Sequence, residues 1–177
     1  MVPSFTLLSR ALHWLMAVLI LAMLFIGIAM VTSLADYHRL VAIHRPLGIL
    51  ILVLAAVRLI NRLFNPPPPL PAEMPLILRL AAHGSHWVLY GLMFALPLIG
   101  WAMLSAAGYP VVLVGGWHLP AILPHDTALY AALRQAHTVL AFTLFAVILA
   151  HFGAAMMHAL VFRDGVFASM TVRGRKA

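Results

Sequence analysis

Cysteine is absent from the 177 residues. Disulfides, iron–sulfur clusters and covalently attached haem all need thiols, so all three are excluded. Acidic side chains are scarce: Asp36, Glu73, Asp126 and Asp164 are the whole set. All four fall in loops or at the ends of apolar runs, which fits poorly with a carboxylate proton relay or a metal transporter. Charged residues of both signs make up 8% of the chain. A soluble domain carries about 25%. The chain therefore cannot clothe itself for water and reads as an integral membrane protein. The net charge of +7 comes from basic residues flanking apolar runs rather than forming a stripe, so no nucleic-acid partner is expected.

What the chain has in abundance is hydrophobic residue, 64% of it. Four runs exceed the roughly 20 residues needed to cross a hydrocarbon core. They cover about 7–31, 40–64, 76–104 and 129–162, which predicts an all-α membrane protein built as a four-transmembrane-helix bundle, one domain over 1–177. Pro97 predicts a kink in the third run. Ser33-Leu34-Ala35 has the look of a cleavage site, but the first run is longer than the 7–15 apolar residues of a secretory signal. It is expected to stay as a span. The six prolines of Asn65–Pro75 predict a stiff extended connection. Ser105–Ala128, with Gly115-Gly116, is the largest loop and is expected to be ordered against the bundle. Arg10, Arg58, Arg62, Arg79, Arg163, Arg173, Arg175 and Lys176 lie on one side, against Arg39, Arg45 and Arg134 on the other. The richer side is expected to be cytoplasmic, with both termini there. Lipid is then the chain's first partner.

Histidine is the unusual residue. His137 and His151 lie fourteen residues apart on the fourth run. At 1.5 Å and 100° per residue they stand about 21 Å apart along the axis and only about 40° apart around it. One face of one helix thus carries an imidazole near each membrane surface. Neutral imidazole is a common haem ligand, and the spacing suits two stacked b-type haems. Bis-histidine ligation needs two histidines at one depth on facing helices. His44 matches His137 on the outer side. On the inner side His151 can pair with His13, His83 or His86, and depth alone leaves that choice open. Gly48, one turn after His44, and Gly153, near His151, are expected to leave room for a flat macrocycle. His158 shares the face of His151, seven residues further in.

Short stretches in fixed order add to this reading: Arg10-Ala11-Leu12-His13-Trp14, His44-Arg45-Pro46-Leu47-Gly48, Arg58-Leu59-Ile60-Asn61-Arg62 with the proline-rich loop, His86-Trp87-Val88-Leu89-Tyr90, and Ala95-Leu96-Pro97-Leu98-Ile99-Gly100-Trp101. With His137 and His151, their sequence of appearance resembles the bacterial cytochrome b561 family of small dihaem membrane proteins over nearly the whole chain. The resemblance implies two non-covalent haem b groups, the inner held by His13 and His151 and the outer by His44 and His137. It also implies electron exchange with quinone. One activity in the family is superoxide oxidation with ubiquinone as acceptor. Other members are haem subunits that link a dehydrogenase or hydrogenase partner to the quinone pool.

Two functional expectations follow. As a superoxide:ubiquinone oxidoreductase, the chain would use Arg45 and Arg134, adjacent in sequence to the outer histidines, to steer superoxide. His86 and His158, with Trp14, Trp87 and Tyr90 near by in sequence, would form the quinone site, because quinol formation needs protons as well as electrons. As a haem subunit, the chain would dock a redox protein, and the Ser105–Ala128 loop with Tyr109 and Trp117 is the surface for it.

Overall fold

A computed structural model describes residues 4–171, apart from the side chain of Val114. Arg173, Arg175 and Lys176, counted above for orientation, lie outside the described residues. Four long helices follow one another: α1 (Leu7–Thr32), α2 (Tyr37–Phe64), α3 (Leu76–Ala106) and α4 (Thr127–Met156), the last continued by a π-turn at Met157–Phe162. All four are long and apolar enough to cross a membrane. The second span begins three residues before its apolar run does, because Tyr37-His38-Arg39 continue the helix into the polar boundary. The third and fourth reach slightly further than hydropathy alone indicates, to Ala106 and back to Thr127.

Local chemistry fixes the ends. Thr6 caps α1 by accepting the Ser9 amide at 3.2 Å, and Asp126 caps α4 by accepting the Leu129 amide at 3.0 Å. Each satisfies a donor that the first helical turn leaves free. Helix α3 runs on through Pro97, as α2 does through Pro46. Each proline removes one backbone donor but ends neither helix.

Successive helices are neighbours, α1 on α2, α2 on α3 and α3 on α4, so the bundle runs up, down, up, down. We call the end holding the start of α1 and the end of α4 basal, and the other end apical. A small core at mid-height is built from Met16 and Ile20 of α1, Ile51 and Ala55 of α2, Tyr90, Met93 and Leu96 of α3, and Leu144 of α4. Phe25, Val31, Phe142 and Phe152 are exposed, as lipid-facing side chains are in a bundle whose exterior is hydrocarbon. Arg10, counted as a flanking cation, is buried at the basal end with Asn61.

The apical loop is ordered, as expected. Val111–Val112 (β1) pairs antiparallel with His118–Leu119 (β2), and the connection uses Gly115 and Gly116, both at φ 79°, where side-chain-bearing residues are strained. Three bonds tie this segment to the end of α3. Trp101 Nε1–H donates to the Pro120 carbonyl at 2.9 Å, the Ile122 amide donates to Ser105 Oγ at 3.2 Å, and the Asp126 amide donates to the Ala106 carbonyl at 3.0 Å. The proline-rich connection has no regular structure. It is held at its far end, where Arg79 donates to the Ala72 carbonyl at 3.2 Å.

At the basal end, Arg163 turns the chain in the left-handed region (φ 49°). A short helix, α5 (Val166–Thr171), then returns towards α1, where the Phe5 amide donates to the Ser169 carbonyl at 3.1 Å.

Ser105 is buried and also donates to the Trp101 carbonyl at 2.9 Å. Ser105→Ala removes one acceptor and one donor at a cost of about 1–2 kcal/mol. The 107–126 segment should then be cut faster than wild type in limited proteolysis of membranes. An unchanged rate would show that Ser105 does not hold the loop.

Candidate functional site

Two clusters of imidazole occupy the bundle, one at each depth, and α4 contributes to both. In the apical cluster the rings of His44 (α2) and His137 (α4) stand 6.3 Å apart between centroids, at 63° to each other. In the basal cluster His13 (α1) and His151 (α4) stand 6.4 Å apart at 62°. Helices α1 and α4 are not packed neighbours, so these side chains bridge a space that backbone contact does not fill.

The separation is informative. Two imidazoles on opposite sides of one metal ion, with bonds of about 2 Å and a ring radius of roughly 1.1 Å each, put their centroids about 6.3 Å apart. Both pairs meet that distance. No group of three or more His, Cys, Asp or Glu that could hold a bare ion exists among the described residues. A bare ion asks the protein for three or four ligands, whereas haem iron asks it for only one or two. The donor set fits haem. The buried Nδ1 of His44 has no hydrogen-bond partner, an unfavourable state for a polar atom in an apolar interior.

Glycine shapes the apical cluster, though not where the sequence pointed. A Cβ on Gly100 of α3 would meet His137 Cε1 at 3.4 Å, and one on Gly27 of α1 would meet His44 Cε1 at 4.0 Å. These two positions let neighbouring helices close on the histidine rings. Gly48 instead faces Met23 of α1, 3.7 Å from a Cβ placed there, and Gly153 is exposed with nothing within 4 Å. Gly48 thus takes part in α1–α2 packing, and the space beside Gly153 is open. Gly100 carries no signal of its own in the sequence beyond standing one turn after Pro97.

The basal cluster is richer. His86 (α3) approaches His151 to 5.2 Å, too close for an ion shared between their centroids in the same way. Its Nδ1–H donates to the Ala82 carbonyl at 2.6 Å, and since a carbonyl only accepts, Nε2 is left with a bare lone pair. His83, the third candidate, is exposed. Arg58 (α2) donates from Nη2 to His13 Nδ1 at 2.9 Å. Trp14 stands edge-on to His13 at 5.3 Å, and its Nε1–H reaches the Met170 carbonyl at 3.3 Å, so α5 is tied to α1 beside the cluster. Trp87 lies 6.4 Å from Tyr90 but is exposed.

His158 is set apart on the π-turn. Its Nδ1–H donates to Asp164 Oδ2 at 2.6 Å, and Asp164 Oδ1 accepts the Val166 amide at 3.1 Å. Both carboxylate oxygens are used, which fixes the imidazole with Nε2 free. Asp164 looks from sequence like one more loop acid. Its role depends on the left-handed turn at Arg163, which no sequence pattern announces.

At the apical end Arg45 has a buried Nε without a hydrogen-bond partner, and Arg134 is exposed on α4. A hollow of about 200 Å³ beneath the hairpin is lined by Trp101, Ser105, Tyr109, Val111 and Leu119 among others, none of them charged.

A multi-pass helical bundle with paired intramembrane histidines at two depths belongs to the class of membrane cytochromes. The family described as prokaryotic cytochrome b561 matches residues 4–172, and the chain belongs to that family. It is 33% identical over 166 residues to "Cytochrome b561 homolog 2" of Escherichia coli (strain K12), covering 92% of this chain and 88% of that protein. It is 37% identical over 138 residues to "Probable superoxide oxidase CybB" of Yersinia pestis, covering 75% of each. Family membership implies b-type haem and membrane electron transfer.

Gly100→Val puts methyl groups against the His137 ring, whereas Gly91, exposed and with nothing within 4 Å, tolerates the same change. The first variant should bind less haem per chain and the second as much as wild type, measured as the pyridine haemochrome. Equal haem in both would deny Gly100 its part in the apical cluster.

Proposed function

We propose that this chain is a dihaem cytochrome of the bacterial inner membrane, basal end to the cytoplasm, acting as a superoxide:ubiquinone oxidoreductase. The observation that carries the reading is the pair of histidine separations, 6.3 and 6.4 Å, at two depths of one membrane bundle. His44 and His137 hold the outer haem, and His13 and His151 hold the inner one. When bound, haem supplies a one-electron carrier at each depth. His86 is too near His151 to share an ion with it in that geometry, which favours His13 as the partner.

Two superoxide ions each give up one electron and leave as dioxygen. One ubiquinone gains both electrons and two protons and leaves as quinol. The protein's work is therefore to attract a small anion at one face and to deliver protons at the other. Arg45 and Arg134 supply positive charge beside the outer pair, where a local field raises the arrival rate of an anion. His158, fixed by Asp164, and His86, with Nε2 free, are proton-bearing groups at the basal end. Trp14, 46% exposed, gives the quinone site an aromatic wall open to lipid. The name of the Yersinia pestis relative supports the choice of superoxide as donor.

The alternative is a haem subunit serving a dehydrogenase or hydrogenase. One observation favours it: Tyr109 and Trp117 are 60% and 77% exposed on the apical hairpin, a pair of aromatic side chains of the kind enriched at protein interfaces. A stoichiometric subunit copurifying with the chain would select that reading.

The purified chain should reduce ubiquinone with superoxide as sole donor, read from the quinone absorbance. Haem that is inert to superoxide would overturn the enzyme reading. Arg45→Gln with Arg134→Gln should slow superoxide turnover by about tenfold at low salt and flatten its salt dependence. A rate that holds would remove steering from the account. His158→Ala should leave both haem spectra intact and lower quinone reduction about 10²-fold. Loss of a haem would mean that a ligand had been taken for a proton donor.

A further inference from the structure

We propose that Arg58 binds a propionate of the inner haem and leaves His13 to do so, an inference that rests on the ligation by His13 argued above. A guanidinium has donors and no acceptor. Standing 2.9 Å from His13 Nδ1, Arg58 requires that nitrogen to accept, so the ring proton sits on Nε2. With Nδ1 occupied, Nε2 is the only atom of His13 that can reach iron, and iron needs its lone pair. Ligation therefore sends the proton to Nδ1 and sets an N–H against the guanidinium. The bond seen here and a neutral axial His13 cannot coexist.

Arg58 then needs another acceptor, and among the described residues no acidic side chain pairs with it. Asp36, at the apical start of α2, accepts from Ser33 Oγ at 2.8 Å, and Asp126 caps the apical end of α4. Asp164 has both oxygens engaged, and Glu73 is exposed in the proline-rich connection. His158–Asp164 is the one salt bridge among the described residues. Around Arg58 stand Tyr90, whose ring centroid is 5.6 Å from the guanidinium, and Arg62, 5.9 Å from the same ring. Asn61 is occupied by Ser9 at 2.8 Å and Asn65 at 3.1 Å. These side chains line one polar hollow at the basal end. Two cations gathered without an anion among the described residues, next to a site for a cofactor carrying two carboxylates, are complementary to those carboxylates. A planar guanidinium is the side chain best shaped to take one in bidentate fashion.

The test is a spectroelectrochemical titration of Arg58→Gln, with the outer haem as internal reference. A cation at the propionate favours the reduced haem, so its removal should shift the inner reduction equilibrium about tenfold towards the oxidised form. That is a fall of about 59 mV for one electron. The outer haem should not move, and Arg58→Lys should recover most of the loss. No shift would overturn the proposal. A rise would also overturn it, because it would mean that Arg58 stays on His13 and holds it as a deprotonated, anionic ligand. Should Arg58→Gln fail to retain the inner haem, wild-type apoprotein can be reconstituted with haem dimethyl ester, whose carboxylates are blocked. Inner-site affinity about tenfold below that for haem supports the proposal, and equal affinity overturns it. His13→Ala separates this from the ligand reading: a six-coordinate inner haem surviving that change would sink the ligation itself, whatever Arg58 does.

Discussion

The structure depends on the cost of leaving imidazole unpaired in an apolar interior. A buried polar group without a partner costs about 1–3 kcal/mol, and a membrane offers no water to relieve it. Here α4 carries two such rings on one face, and each is met by a ring from another helix at the spacing of two axial ligands. Helices α1 and α2 must present His13 and His44 at opposite depths, which an antiparallel pair does without further adjustment. Helix α3 supplies Gly100 at one depth and His86 at the other, so it closes the bundle around the same two levels.

The two ends differ in character because their tasks differ in the proposed reaction. The apical end is roofed by a hairpin tied down by Trp101 and Ser105, and the cations nearest its histidines belong to α2 and α4 themselves. The basal end gathers Arg58, Arg62, His86 and the His158–Asp164 pair, with α5 folded back against α1 through Trp14 and Phe5. The proposed exchange with a lipid-soluble quinone calls for proton-exchanging groups, and His86 and His158 stand at the basal end.

Much of the fold was legible because hydropathy and length are decisive for membrane helices. Four runs gave four spans, and only their polar first and last turns were missed, as at Tyr37-His38-Arg39. Helical arithmetic puts His137 and His151 on one face of α4, and depth puts His44 beside His137, where the two rings stand 6.3 Å apart. The partner of His151 did not, since His13, His83 and His86 lie at similar depths and only ring positions separate them. Glycine is hard to read for a related reason: closeness in sequence to a histidine points to Gly48 and Gly153, whereas Gly27 and Gly100 meet the histidine rings across helices, where contact depends on packing. Asp164 was out of reach because its use depends on a left-handed turn and a π-turn. The contest between Arg58 and iron for His13 is invisible until both nitrogens of the ring have been assigned.

The central claim is that each of the two pairs holds one haem between two histidines. The most direct test is haem stoichiometry of the purified chain together with electron paramagnetic resonance of its oxidised form. The account predicts two b-type haems per chain, both low-spin, as two nitrogen ligands require. One haem per chain, or a high-spin ferric signal from either, would contradict it.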